Sequence, residues 1–372
     1  MFRKLLLGVG LLSGTIIGAG VFALPYVFSR SGWLVGSAYL LIFAAIVALA
    51  HLMYAEVVES TPGEHRLVGF SKMYLGKFFE WVATIISPIG LMLMLTVYLI
   101  LGERFFMLIL PGTLKPAALL LAWLIGTFLI FWQTKRLALA EALGTLSIAA
   151  IIFVIFGYGA KGVGNLEILP AADLKYVFLP YGVILFSYWG RTAIPPLVKF
   201  FKEGKALRLA RPAVIIGTVL PTILYVFFIA GVIGLVANNV TEDSVVGLAS
   251  TLPIEAVWLV GVLGLLAVLT SYAVVGKNIY QTIVFDARQK PFLGGLAVAL
   301  IPMLLYTAGF NNFIALIGVV GGIFVSIEGV LIVLLWRRVR REKKRLGWAA
   351  IASSWLLLAV FCGGILYELI YH

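Results

Sequence analysis

The chain has 372 residues, 62% of them hydrophobic and 12% charged, with a mean hydropathy of +1.10 and a net charge of +12. Soluble domains are about 45–50% apolar and about 25% charged, so a water-soluble globule is excluded and the chain reads as a polytopic membrane protein. Long unbroken apolar runs, with no ten-residue alternating pattern, exclude a barrel in favour of helices.

Most of the positive charge lies in short loops between apolar runs, which fits membrane topology and an anionic leaflet better than nucleic acid. Cys362 is the one cysteine, so neither an intrachain disulfide nor a cysteine metal cluster forms.

Runs of about 20 residues predict eleven spans, at 5–28, 34–57, 78–101, 117–134, 138–159, 176–200, 212–236, 255–284, 293–309, 313–336 and 348–371. Arg3-Lys4 before Leu5-Leu6-Leu7 has the look of a signal peptide. The apolar run continues to Phe28, however, and ten similar runs follow, so it is read as a retained first span. Trp33, Trp81, Trp336, Trp348 and Tyr371 fall at span ends, where an aromatic belt puts them. The stretch 59–77, "ESTPGEHRLVGFSKMYLGK", reads as a loop with a short interfacial helix.

Alternate loops differ sharply in charge. One set carries 21 Lys and Arg and the other only Arg30, Arg104, Lys115, Lys161 and Lys175, with Arg191 and Lys277 inside spans. The positive-inside rule then sets the N-terminus in the cytoplasm and, for an odd number of spans, the C-terminus outside.

The first span holds "GTIIGAGVFALPY", residues 14–26, with Gly14, Gly18, Gly20 and Pro25. Glycine costs about 1 kcal/mol and proline about 3 kcal/mol against alanine in a helix interior. The sixth span holds "FSYWGRTAIPPL", residues 186–197. "GVFALP" (20–25) and "GRTAIP" (190–195) share the pattern Gly-x-x-Ala-aliphatic-Pro at an offset of 170 residues. The two segments are five spans apart, so they cross the membrane in opposite directions. Interrupted spans at matching positions of inverted halves point to a transporter's binding site. Broken backbone at membrane depth survives where protein or a water-filled cavity covers it. A new helix starting near Gly20 offers N–H groups and positive dipole to a carboxylate, and the end of the preceding half-helix offers carbonyls to a cation. The simpler reading is a pair of ordinary Gly/Pro kinks, against which the matching register speaks.

"GTIIGAGVFALPY", the "ESTPGEHRLVGF" loop and "FSYWGRTAIPPL" resemble the hydroxy and aromatic amino acid permeases, and also the related amino acid/auxin permeases. Both belong to the amino acid–polyamine–organocation superfamily. The resemblance implies an all-α leucine-transporter-type fold, a 5+5 inverted repeat plus one extra helix, with eleven spans. The halves would be 1–159 and 160–336, and 337–372 would hold a basic loop and the last span. It also implies amino acid uptake driven by sodium or protons, with no other cofactor, from a monomer in the cell membrane.

By this resemblance the substrate, a small neutral or aromatic amino acid, lies between Ser13, Gly14, Thr15, Gly18, Ala19 and Gly20 on one side. Phe186, Ser187, Tyr188, Trp189 and Gly190 form the other. The carboxylate would sit against the amides near 18–20. For Tyr188 and Trp189, plain helix packing is the competing reading. In the eighth span, "VLTSYAVVGKNIYQ" (268–281) sets Thr270, Lys277 and Gln281 on one helical face with Ser271 and Asn278 beside it, a pattern that suits a water-lined path. Thr270 and Ser271 match the place where sodium-coupled superfamily members supply two hydroxyl oxygens, joined by carbonyls near Ile16 and Ala19. Local hydrogen bonding of these hydroxyls is the alternative, and the coupling ion stays open between Na⁺ and H⁺.

Arg191 stands in the broken span where family members usually carry an uncharged side chain. A central arginine costs on the order of 2.5–3.5 kcal/mol on insertion scales and should meet water or a carboxylate. Its expected partners are Glu328, Glu141 or an acidic substrate group. Glu328 is the favoured relay carboxylate. Glu56 and Glu141 lie nearer predicted cytoplasmic ends, and Asp286, near Arg3 and Lys4, suits an inner gate.

A membrane enzyme needs a catalytic or metal constellation, and His51, His65 and His372 do not sit at ligand spacing with acids. A channel needs a repeated filter. An amino acid sensor on the same fold remains the rival to a transporter.

Overall fold

The computed structural model describes all residues except Glu64, Asn238, Ala287, Arg288 and His372. The side chains of Thr134, Lys135, Ala138, Asn165, Ile168, Phe285, Asp286 and Tyr371 also lie outside the described residues. Arg288, counted above for topology, and the side chain of the gate candidate Asp286 therefore fall outside the described set.

Among the described residues the chain is helical, without a strand. In chain order the helices are α1 (Phe2–Ile16), α2 (Leu24–Ser31), α3 (Trp33–Ser60), α4 (Leu67–Leu75), α5 (Lys77–Ile109), α6 (Lys115–Ile130), α7 (Thr134–Gly159) and α8 (Pro180–Tyr188). There follow α9 (Ile194–Glu203), α10 (Ala210–Val236), α11 (Ile254–Gln281), α12 (Pro291–Thr307), α13 (Phe313–Val319), α14 (Ser326–Glu342) and α15 (Trp348–Tyr371). Helix covers most of each predicted span, with 5–28 and 176–200 interrupted, but among the described residues fewer than eleven stretches have the length and apolarity of a membrane span. Seven of these helical stretches are long and apolar enough to cross a membrane, and α1 with α2 forms an eighth, bent by 51°. The shorter helices α6 and α12 are apolar as well. The expected interfacial helix is α4, between α3 and α5.

Both glycine-bearing segments break in the same way. α1 stops at Ile16, Ile17 and Gly18 run extended, and a 3₁₀ turn over Ala19–Ala23 leads into α2. α8 stops at Tyr188, Trp189 and Gly190 leave the helix, and a 3₁₀ turn over Arg191–Ala193 leads into α9. Leu24 and Ile194 start the second halves, 170 residues apart, and each is followed by a proline. Proline in the first turn has no N–H to waste and a φ already suited to the helix, so it restarts the helix after each break. The helix α13–α14 is interrupted by a π-helical stretch, Val320–Val325, around Gly321 and Gly322.

Small residues bring the helices together. A Cβ on Gly182 would lie 2.3 Å from Gly318 O, and one on Gly321 would overlap Gly182 O, so α8 packs backbone to backbone on the π stretch. α7 and α10 do the same, where a Cβ on Gly231 would sit 2.8 Å from Phe156 Cα. Lipid tails are as apolar as leucine, so close backbone packing of this kind, rather than exclusion from water, drives association in a bilayer.

The basic ends are tied by polar side chains. Glu56 on α3 takes two bonds from Arg340 on α14, both 2.9 Å, and one from Trp336 Nε1 at 2.8 Å. Lys4 Nζ donates to Gly204 O at 2.7 Å, fastening the start of α1 beside the end of α9. At the other end Arg104 of α5 pairs with the fully buried Asp243 in the α10–α11 connection.

Candidate functional site: the cavity between the two breaks

The breaks touch. A Cβ on Gly20 would lie 2.4 Å from Ser187 Oγ and 2.8 Å from Ser187 Cα, while one on Gly190 would lie 2.5 Å from Ile16 Cγ1. Each break is thus glycine at the point where the other passes, and the glycines serve close approach as well as freedom of backbone.

Beside this crossing lies a cavity of about 120 Å³. One water needs about 10–15 Å³ on this kind of measure, so the space suits a small organic ligand. The first break contributes Gly14, Thr15, Ile17 and Gly18, and the second Phe186, Trp189, Arg191 and Thr192. α5 lends Ile86, Ser87, Gly90, Leu91, Met94 and Tyr98, and α11 lends Ser271, Val274, Val275 and Asn278. Glu141 of α7 and Val320, Phe324, Val325 and Glu328 around the π stretch complete the wall. π-bulges recur at functional sites, and here the bulge turns Phe324 onto Gly90, where a Cβ would be 3.0 Å away.

The cavity has two unlike ends. Around Leu91, Met94, Phe186 and Phe324 it is apolar, with the Arg191–Glu328 pair and Ser87 lining the same space. Around Gly18 it is polar: the Tyr98 hydroxyl lies 3.8 Å from where a Gly18 Cβ would be and stands beside Ser271 and Glu141. The amides of Ala19 and Gly20 open the 3₁₀ turn and have no acceptor inside it. Such a combination of apolar room and a few converging polar groups is the ordinary form of a small-molecule site.

Two carboxylates line this space, and they differ. Glu328 accepts from Arg191 Nε at 2.8 Å and Arg191 Nη2 at 2.6 Å, from Ser87 Oγ at 2.7 Å and from Trp189 Nε1 at 2.8 Å. Both ions are buried, and four donors fill the carboxylate's lone pairs, which is the condition for a buried pair to hold. Arg191 thus draws on Glu328, and not on Glu141. Glu141 is half-buried and has no ion-pair partner among the described residues.

Other residues singled out in the sequence face elsewhere. Ser13 donates to Gly217 O at 3.0 Å, Ser187 to Val183 O at 2.7 Å and Tyr188 to Thr222 at 2.7 Å. Ala19, Gly20 and Gly190 form the crossing and do not line the cavity. Ile16 O takes the Tyr225 hydroxyl at 3.3 Å. Thr270 donates to Leu266 O at 2.8 Å and Ala267 O at 3.0 Å, and it lies against Gly144 of α7. Lys277 donates to the Trp132 carbonyl. The polar path along α11 therefore differs from the expected one. Its cavity-facing residues are Ser271, Val274, Val275 and Asn278, one residue on from Thr270 and Lys277, because the Thr270 face packs on α7.

Tyr98, Ser87, His51 and Tyr225 were not singled out as site residues. His51 accepts from Gly190 N at 3.3 Å and contacts Thr218 Oγ1 at 3.0 Å. The available signal was a polar atom in the middle of an otherwise apolar span, which also describes many packing residues. Among the described residues no group of three His, Cys, Asp or Glu forms a metal site.

A helical membrane protein with two antiparallel broken helices crossing beside one small cavity has the leucine-transporter-type fold. The structure of MhsT in complex with L-phenylalanine aligns at a TM-score of 0.69, with 15% identity over 98% of this chain and 98% of the other. The inward-facing structure of Mhp1 aligns at 0.68, with 14% identity over 98% and 88%. In sequence, the chain belongs to the tryptophan/tyrosine permease family, whose model matches residues 1–371. It is similar to glutamine transporter 2 of Aliivibrio fischeri (25% identity; 85% of this chain, 84% of the relative). It is also similar to tyrosine-specific transport system 1 of Haemophilus influenzae (23%; 96% and 93%) and the tryptophan-specific transport protein of Shigella flexneri (26%; 92% and 88%). The chain is an integral membrane protein of a transporter family, not an enzyme.

Proposed function

We propose that the chain is a secondary active transporter for a neutral amino acid, aromatic or of similar size, working by alternating access around the cavity between the breaks. The observation that carries this reading is the cavity itself: a polar end at Gly18, Tyr98 and Ser271, and an apolar end at Leu91, Met94, Phe186 and Phe324. The substrate carboxylate lies near Gly18, at the start of the 3₁₀ turn, where a helix start favours an anion, and its side chain fills the apolar end. Relatives named for tryptophan, tyrosine and glutamine support the substrate class. The working unit is a monomer with halves 1–159 and 160–336, the N-terminus inside and the C-terminus outside.

Coupling runs through an ion. Of the four oxygens gathered for a sodium site, Thr270 Oγ1 is bonded within its own helix and Ile16 O is taken by Tyr225. Ser271 alone of that set's side chains faces the cavity. A donating hydroxyl keeps its lone pairs, so these bonds do not exclude sodium. The cavity-lining Glu141, without an ion-pair partner among the described residues, is what favours a proton, with Glu141 rather than Glu328 as its carrier. The test is uptake of labelled tryptophan, tyrosine, glutamine and phenylalanine into proteoliposomes, with sodium and pH gradients imposed separately. Binding without uptake under every gradient would replace this reading by that of a sensor.

A further inference from the structure

Four hydrogen-bonding residues of α10 lie on one helical face, and all of them lead to the two breaks. Gly217 O accepts from Ser13 of α1 at 3.0 Å, and a Cβ on Gly217 would meet Leu12 at 3.0 Å, so α1 lies directly on it. Thr218 gives its proton to Val214 O at 2.8 Å, which leaves its oxygen to accept from His51 Nδ1 at 3.0 Å. The other ring nitrogen of His51 then accepts the N–H of Gly190, at 3.3 Å, so the second break is held through a neutral imidazole. Thr222 accepts the Tyr188 hydroxyl at 2.7 Å. Tyr225 reaches both sides at once: its hydroxyl donates to Ser187 O at 2.6 Å and lies 3.3 Å from Ile16 O. Tyr225 and Thr218 are fully buried, and the Tyr225 ring stacks edge-on against Tyr188 at 5.4 Å.

We propose that Tyr225 of α10 is a positioning residue whose hydroxyl joins the two broken helices. The proposal rests on the transporter reading above and adds to it a single group that ties both breaks. The carbonyls of Ile16 and Ser187 end the first half of each broken helix, where intrahelical donors run out. One hydroxyl proton, given mainly to Ser187 O and shared with Ile16 O, serves both ends. Neither break can then shift against the other without giving up a bond to Tyr225, so the two walls of the cavity keep their spacing and respond to substrate together. Tyr225 does not line the cavity, and neither do Ile16 and Ser187; it acts through their backbone on the adjoining Ile17 and Phe186, which do.

The test is Tyr225→Phe, which removes one oxygen and leaves the ring. Binding of tryptophan, tyrosine and glutamine is measured on purified protein, with spin-label distances from Leu6 on α1 and from Lys202 on α9, each to Leu300 on α12. In the wild type both distances change together when the bound amino acid is added. In Tyr225→Phe, affinity drops by about tenfold, as expected for losing one to two buried hydrogen bonds, and the two distances no longer change in step. Ser147→Ala, a buried hydroxyl bonded only within α7, leaves both readouts unchanged and separates linkage from general loosening. Wild-type affinity with concerted distance changes in Tyr225→Phe overturns the proposal. If that variant does not fold, Thr218→Val and Thr222→Val carry the test, and normal affinity in both overturns it equally. A wild type that binds none of the three amino acids defeats the transporter reading instead, and the Leu6–Lys202 distance in wild type and Tyr225→Phe still reports whether the hydroxyl joins the breaks.

Discussion

Arg191 and Glu328 meet through two parallel bonds at the wall of the cavity, with Ser87 and Trp189 donating to the same carboxylate. The arginine that looked out of place in the broken span is thus neutralised by a residue more than a hundred positions away. The pair joins the second break to α14, and the indole bond fixes the Trp189 ring at the cavity. Removing either partner leaves a buried charge alone, which costs about 3–5 kcal/mol. Arg191→Gln and Glu328→Gln are each expected to lower the unfolding temperature in detergent and to cut uptake strongly. The exchanged double variant, Arg191→Glu with Glu328→Arg, restores neutrality but not the Ser87 and Trp189 bonds. It should retain more activity than either single change and less than wild type, a ranking that uptake assays read directly.

Gly20 offers a cleaner steric test. Its missing Cβ is replaced by Ser187, with the backbone Cα at 2.8 Å, so alanine there pushes one break away from the other. Gly10 lies on α1, before the break, with nothing within 4 Å of a Cβ. Gly20→Ala should abolish substrate binding, whereas Gly10→Ala should be neutral or slightly stabilising, by a few tenths to about 1 kcal/mol. Equal behaviour of the two variants would remove the close crossing from the account.

The breaks, their register and the partnership of Arg191 with an acidic residue were legible because glycine, proline and intramembrane charge leave marks in sequence. The 170-residue offset reappears as the matched starts at Leu24 and Ile194. Residues whose importance lies in rotation about a helix were not legible. A shift of one position, about 100° on a helix, decides whether Thr270 or Ser271 faces the cavity, and the contact with Gly144 that settles it comes from another span. Tyr98 and Tyr225 carried no local mark, since a tyrosine in an apolar run reads the same whether it packs or positions.

Glu141 is the cavity carboxylate without an ion-pair partner among the described residues, beside Tyr98 and Ser271. A carboxylate in such a place is neutral or paired for part of a transport cycle. Glu141→Gln mimics the protonated form permanently. Uptake driven by a pH gradient should be lost, while exchange of labelled for unlabelled amino acid, which needs no net ion movement, should persist. Uptake in that variant that still answers to a pH gradient would move the proton elsewhere. Sodium-stimulated uptake in the wild type, abolished by Thr270→Ala with Ser271→Ala, would return the coupling site to α11.

Asp243 and Arg104 pin the α10–α11 connection to α5. Asp243 is fully buried, and its second oxygen accepts from Thr241 at 3.1 Å and from the amides of Val245 and Val246 at 2.9 and 3.1 Å. Arg104 is partly exposed, so part of its charge is already met by solvent. Arg104→Gln therefore strands a buried carboxylate, whereas Asp243→Asn keeps an oxygen for the loop amides but turns a donor toward Arg104. Both singles should destabilise, and the double variant, in which amide faces amide, should lose less than their sum. A coupling of about 1–3 kcal/mol is expected for residues in contact, measured by thermal unfolding of the four proteins in one detergent. Because the connection lies at the end of the molecule opposite Glu56 and Arg340, the same singles should speed substrate release from that side, and additive stabilities with unchanged release would reduce the pair to a surface contact.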